Sequence, residues 1–187
     1  SNGSREAVRR VERLCGVEIP LVEGDIRSPG LVASVLAGSA ARGAPVRAVL
    51  HLAGSKAVGE SVADPLKYYD NNVGGSVALL RAMREAGVSR MVFSSSATVY
   101  GEPQFLPFTE AHPRAPTNPY GRTKLMVEDV LRDVCAADPA FSAVTLRYFN
   151  PIGAHHSGQI GESPRDVPNN LFPYITQVAV GRQPFLR

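Results

Sequence analysis

Four short runs of apolar residues, too uniformly apolar to alternate, divide this 187-residue sequence. They fall at 18–22 (Glu18, Ile19, Pro20, Leu21, Val22), 48–54 (ending Leu52, Ala53, Gly54), 90–93 (Arg90, Met91, Val92, Phe93) and 143–149 (ending Tyr148, Phe149). Runs of this length and character predict strands covered on both faces. Helical signals lie between them. Leu31 and Leu36 frame an apolar stretch with Pro29 near its start. Asp64-Pro65, a capping carboxylate followed by a first-turn proline, opens a helix that continues from 66 to 86 and stops at Gly87. Asn118-Pro119 opens another, with Leu125, Met126, Val130, Leu131 and Val134 at helical spacing. A last helix is predicted from Leu171 to Gly181. Strands alternating with helices predict an α/β fold, a Rossmann-like doubly wound parallel sheet.

Composition excludes several classes. The 44% apolar and 20% charged residues suit a globular chain of net charge +3. Arg5, Arg9, Arg10 and Arg13 interleave with Val8, Val11 and Leu14, the pattern of a wet helix face and not of a nucleic-acid surface. Cys15 and Cys135 form neither a disulfide framework nor a metal-spaced cluster, which predicts a reducing, cytosolic setting. No run reaches 18 apolar residues and no leader is expected, so no membrane partner is expected. His51 reads as a packed strand residue, and His112 and the adjacent His155 and His156 as loop residues; no metal site is expected.

The chemistry concentrates at Tyr120 and Lys124, four apart and therefore on one helix face. A tyrosine is a poor base at neutral pH, and a nearby ammonium is expected to favour the phenolate and lower its pKa. The pair suits a proton acceptor working beside hydride transfer to a nicotinamide. The third apolar run ends in Ser94, Ser95 and Ser96. Open parallel sheets bind ligands at the carboxyl ends of their strands, which makes these hydroxyls candidates for the same substrate oxygen.

The stretches "GDI" (24–26), "AGSKAVGES" (53–61), "DPLKYYDNN" (64–72), "FSSSATVYG" (93–101), "NPYGRTK" (118–124), "RYFNPIGAH" (147–155) and "PNNLFPY" (168–174) resemble the extended short-chain dehydrogenase/reductases, in their nucleotide-sugar 4-epimerase branch. The resemblance implies NAD as cofactor and reversible 4-epimerisation of UDP-glucose and UDP-galactose through a 4-keto sugar, with UDP-GlcNAc and UDP-GalNAc left open. It implies Tyr120 as proton acceptor, Lys124 on the nicotinamide ribose and Ser96 as the catalytic hydroxyl. Asp25 and Ile26 would flank the adenine, and Leu52, Lys56, Asn72 and Tyr148 would touch the cofactor. Ser96, Ala97, Thr98, Tyr148, Phe149, Asn150, Asn169, Asn170 and Leu171 would meet the UDP-sugar. A homodimer through the helices at 64–86 and 119–135 is implied as well. Sibling dehydratases carry Asp-Glu where this chain has Ala97-Thr98.

The sequence departs from that family in one respect. No Gly-x-Gly-x-x-Gly or Gly-x-x-Gly-x-x-Gly follows a strand, the turn that presents backbone N–H groups to a pyrophosphate. The expectation is a fragment. Residues 1–150 would form a partial NAD-binding domain without its first two strands, and 151–187 would begin a UDP-sugar-binding domain. The strand at 18–22 then has no partner, each orphaned ladder group costing about 1–3 kcal/mol, and NAD binding by the chain is expected to be weak or nil. Three readings compete: the 4-epimerase, a related nucleotide-sugar dehydratase or decarboxylase, and an inactive variant acting only by subunit association.

Overall fold

The computed structural model describes residues 3–28, 30–161 and 170–186. In chain order the elements are α1 (Arg5–Cys15), α2 (Leu31–Ala41), β1 (Val49–His51), α3 (Val58–Ala63), α4 (Pro65–Tyr68), a π-helical stretch (Tyr69–Gly74), α5 (Gly75–Glu85), β2 (Arg90–Ser96), a 3-10 turn (Ala97–Val99), α6 (Pro119–Ala137), β3 (Ser142–Tyr148) and α7 (Leu171–Ala179). Contacts divide the chain into two units: Glu23–Phe149, and Ser1–Val22 with Asn150–Arg187.

In the first unit three strands pair in parallel in the order β1-β2-β3. Register sets His51 opposite Phe93, Ser95 opposite Arg147 and Ser96 opposite Tyr148. Alternation along each strand then sorts the side chains. Val49, Met91, Phe93 and Ala143 turn to a core built with Leu36 of α2, Leu79, Leu80 and Met83 of α5, and Val127 and Leu131 of α6. The intervening positions Leu50, Val144 and Leu146 are exposed, so among the described residues the cover expected on both faces lies on one. The fold is a Rossmann-like parallel α/β sheet of three strands among the described residues.

Two expectations need correction. The strand predicted at 18–22 is irregular, with Ile19, Leu21 and Val22 exposed. No strand runs beside it among the described residues, so its backbone has no ladder to join. The single helix expected from 66 to 86 is interrupted by the π-helical stretch, which starts only after α4, capped by Asp64 on the Lys67 N–H at 3.3 Å. A π-turn adds a residue per turn and re-aims its side chains, a device that recurs at functional sites. Here it turns Asn72 inward and buries it.

In the second unit α1 starts at Ser4, whose hydroxyl accepts from the Ala7 N–H at 3.1 Å, and ends at Gly16 with a left-handed φ of 67°. No α1 side chain is buried, and Glu6 pairs with Arg10 and Arg13, as the wet-face reading requires. Arg10 also donates to the Gln159 carbonyl at 2.9 Å.

Candidate active site

Helix α6 is set in place before its first turn is complete. The Asn118 side chain accepts from the Gly121 N–H at 2.8 Å, and the buried Ser61 hydroxyl from the Tyr120 N–H at 3.1 Å. A Cβ at Gly121 would sit 2.9 Å from the Thr98 carbonyl oxygen, so glycine there lets the helix press against the 3-10 turn. This approach brings Tyr120 beside Ser96. Tyr68, itself fully buried, meets the Tyr120 ring edge-on at 6.5 Å and 84°.

Ser96 is equipped to donate. Its Oγ accepts from the Thr98 N–H at 3.2 Å and from the Thr98 hydroxyl at 2.9 Å. Both lone pairs are then used, and its one proton is left for Tyr120 or a substrate oxygen. Burial pushes the Tyr120 phenol above its usual pKa, and interaction with Ser96 opposes that rise. The lowering expected from Lys124 is not found: burial sets the direction, and Ser96 is what opposes it. The Lys124 ammonium lies 5.8 Å from the Tyr120 ring centroid and 5.0 Å from that of Phe93, and it donates to the Ser94 carbonyl at 2.7 Å. Burial pushes Lys124 itself down to about 8.

Asn72 ties this pair to the loop that follows β1. Its Oδ1 accepts from the Ser55 N–H at 2.8 Å; its Nδ2 donates to the Ser55 carbonyl at 3.0 Å and to Thr123 Oγ1 at 3.1 Å. Thr123 donates in turn to the Tyr120 carbonyl at 2.7 Å. Behind it, Ser76 donates to the Asn72 carbonyl at 2.6 Å, which commits its only proton, so the His51 Nε2 at 2.8 Å must carry the hydrogen between them. His51 is buried as a strand residue, and burial with the Lys124 charge pushes it down to about 4.

These residues fit one end of a nicotinamide dinucleotide. A Cβ at Gly54 would lie 3.3 Å from Asn72 Oδ1 and 3.6 Å from Lys124 Nζ, so bare backbone flanks a cation with two unspent donors, suited to ribose hydroxyls. Leu52, Lys56 and Tyr148 are exposed around the strand ends. Asp25 is held near 2 by the Arg27 guanidinium, which also pairs with Asp70, and Ile26 packs against Gly75. Ala97 and Thr98 are half-buried in the turn, and Phe149 is exposed at 5.8 Å from the Phe108 ring.

In the other unit Asn150, Asn170 and Leu171 line a cavity of about 280 Å³ with Ile152, Phe172 and Ile175. Asn169 lies outside the described residues. Among the described residues no His, Cys, Asp and Glu cluster could hold a metal ion, and no helix is long and apolar enough to cross a membrane. Sequence reasoning missed Ser61, Thr123, Ser76 and Glu128. Only Glu128 carried a signal, its spacing of four from Lys124.

Comparison with known proteins agrees with this geometry. The chain is 52% identical over 186 residues to the UDP-glucose 4-epimerase of Dictyostelium discoideum, covering 100% of this chain and 53% of that protein. It is 53% identical over 182 residues to that of Bacillus subtilis, covering 97% and 52%. The crystal structure of the Bifidobacterium longum UDP-glucose 4-epimerase in complex with NAD+ and UDP superposes with a TM-score of 0.90 at 49% identity, covering 97% of this chain and 53% of that one. The Stenotrophomonas maltophila enzyme with bound NAD and formylated UDP-arabinopyranose gives 0.91 at 47%, covering 98% and 53%. The chain thus spans about half the length of the curated relatives it matches. Residues 2–186 match the NAD dependent epimerase/dehydratase family, and the chain belongs to it.

Proposed function

We propose that this chain carries the proton-transfer site of an NAD-dependent UDP-hexose 4-epimerase interconverting UDP-glucose and UDP-galactose. The observation that carries the reading is Ser96 with both lone pairs engaged and its proton left for Tyr120 or a substrate oxygen, with the buried Lys124 ammonium 5.8 Å from the Tyr120 ring centroid. NAD, when bound, would supply the hydride acceptor and donor at sugar C4. Tyr120 accepts the 4-hydroxyl proton while Ser96 donates to the same oxygen. Lys124, anchored on β2, would hold the nicotinamide ribose, and Asn72 keeps the loop after β1 in place beside it. Burial raises the Tyr120 phenol, and a cationic nicotinamide beside it would lower it. Ala97-Thr98 stands where the sibling dehydratases carry Asp-Glu, which favours epimerisation over dehydration.

Asp25, Ile26, Leu52, Lys56 and Tyr148 are the further cofactor contacts in this reading. Phe149, Asn150, Asn169, Asn170 and Leu171 are its UDP-sugar contacts, residues 1–150 being a partial cofactor domain and 151–187 the start of the sugar-binding one. The setting is the cytosol. Leu66 of α4 and Met126 of α6 are exposed on the helices that would join a homodimer. The test is conversion of UDP-glucose to UDP-galactose with NAD, followed by NMR, with Tyr120→Phe lowering the rate by roughly 10²–10⁴. Equal rates in both proteins, or an accumulating 4-keto product, would overturn it. No turnover and no NAD retention, with association to full-length subunits, would point to the inactive, subunit-exchanging reading.

A further inference from the structure

Three successive strand-end residues face three α6 residues spaced four apart. Ser94 gives its carbonyl to Lys124, Ser96 faces Tyr120, and Ser95 donates its hydroxyl to Glu128 Oε1 at 2.6 Å. Glu128 is buried and takes no part in the chemistry above. Its carboxylate is gripped by a two-pronged guanidinium: Arg147 Nε donates to Oε1 at 3.0 Å and Nη2 to Oε2 at 2.7 Å. Arg114 Nη1 lies 3.7 Å from Oε2. The remaining Arg147 prong donates to the Tyr100 hydroxyl at 3.0 Å, and the guanidinium lies over that ring at 4.9 Å. Tyr100 closes the turn that Ser96 opens, through its N–H on the Ala97 carbonyl at 3.1 Å. The short segment bearing Ser96 is therefore held at both ends by one ion pair, through Ser95 before it and Tyr100 after it.

We propose that the Glu128–Arg147 pair is a positioning device that fixes the height of Ser96 against Tyr120. The inference rests on the reading of Ser96 and Tyr120 as the reacting pair. A buried ion pair is weak evidence for stability, since desolvation offsets attraction, but a planar two-pronged contact fixes orientation well. Ser95 and Tyr100 are its two output arms, and each can be cut without breaking the pair.

The test uses tyrosine labelled at ¹³Cζ in the 187-residue chain, with Tyr120→Phe assigning the Tyr120 resonance. Ser95→Ala cuts one arm and Tyr100→Phe the other. Loosening Ser96 weakens its donation to the phenolate, so each variant should raise the Tyr120 titration midpoint by roughly half a unit, a threefold change in its ionisation constant. A lowered Tm with an unmoved midpoint in both variants means a merely structural role and overturns the proposal. If Ser95→Ala fails to fold, Tyr100→Phe decides alone. The readout needs no substrate, so it separates failure of this inference from failure of the epimerase reading. Where turnover is measurable, each variant should lower kcat roughly tenfold with KM unchanged; a change in KM alone would count against it.

Discussion

The Lys124 ammonium donates to the Ser94 carbonyl at 2.7 Å and meets Tyr120 at the ring, 5.8 Å from its centroid. The cation is anchored to the strand end and buried there. This burial has a measurable cost. The folded protein holds Lys124 near 8 against an ordinary 10.5, so between those values the unfolded chain binds more protons. Stability must then rise with pH across that window. Lys124→Met keeps the apolar stem and removes the charge. Urea unfolding at pH 8 and pH 10 should show the rise in the parent and not in the variant. The same slope in both would refute the burial argument.

Gly121 decides how closely α6 approaches the Ser96 turn. Alanine in a helix interior ordinarily stabilises over glycine by roughly 0.5–1 kcal/mol. At Gly121 a Cβ would lie 2.9 Å from the Thr98 carbonyl oxygen, backbone that cannot swing away, so Gly121→Ala should destabilise instead, by about 1–3 kcal/mol. Gly59 in α3 has nothing within 4 Å of its Cβ position, and Gly59→Ala should show the ordinary gain. Opposite signs in denaturant midpoints are the expected result. A gain at both sites would mean that the helix does not need this close approach.

The parts of the site legible in the sequence are those carried by local spacing. Asn118-Pro119 fixed where α6 begins, and the interval of four then put Tyr120 and Lys124 on one face. The strand at 18–22 misled because apolar character reports a demand for burial, whereas a strand also needs a neighbour for its backbone. Helix α3 opens without a side-chain cap and spans six residues, so it offered no signal. The inward turn of Asn72 depends on a π-helical stretch, YDNNVG, whose weak helix formers mark an irregularity without specifying a π-turn. The sign of the Tyr120 shift was misjudged because spacing shows which charge is near but not how dry the ring is. Ser95 and Glu128 are 33 apart, and only strand register and helix packing bring them together.

His51 makes the last prediction, on the acid side. Its Nε2 hydrogen goes to Ser76, whose own proton goes to the Asn72 carbonyl, and burial beside the Lys124 charge favours the neutral ring. Folding lowers its pKa from 6.5 to about 4, chiefly by burial and then by the Lys124 charge. In that interval the unfolded chain carries the extra proton, so stability should fall as pH drops from 6.5 towards 4, by about 3 kcal/mol in total. Carboxylates that are paired in the fold add to an acid slope, so the comparison must be with a variant. His51→Gln keeps a donor near Ser76 without a titrating group, and its stability should be lower at pH 7 but flatter between pH 6.5 and 4.5. Urea unfolding at several pH values measures both slopes. Parallel slopes in the two proteins would show that His51 is not held neutral by the fold.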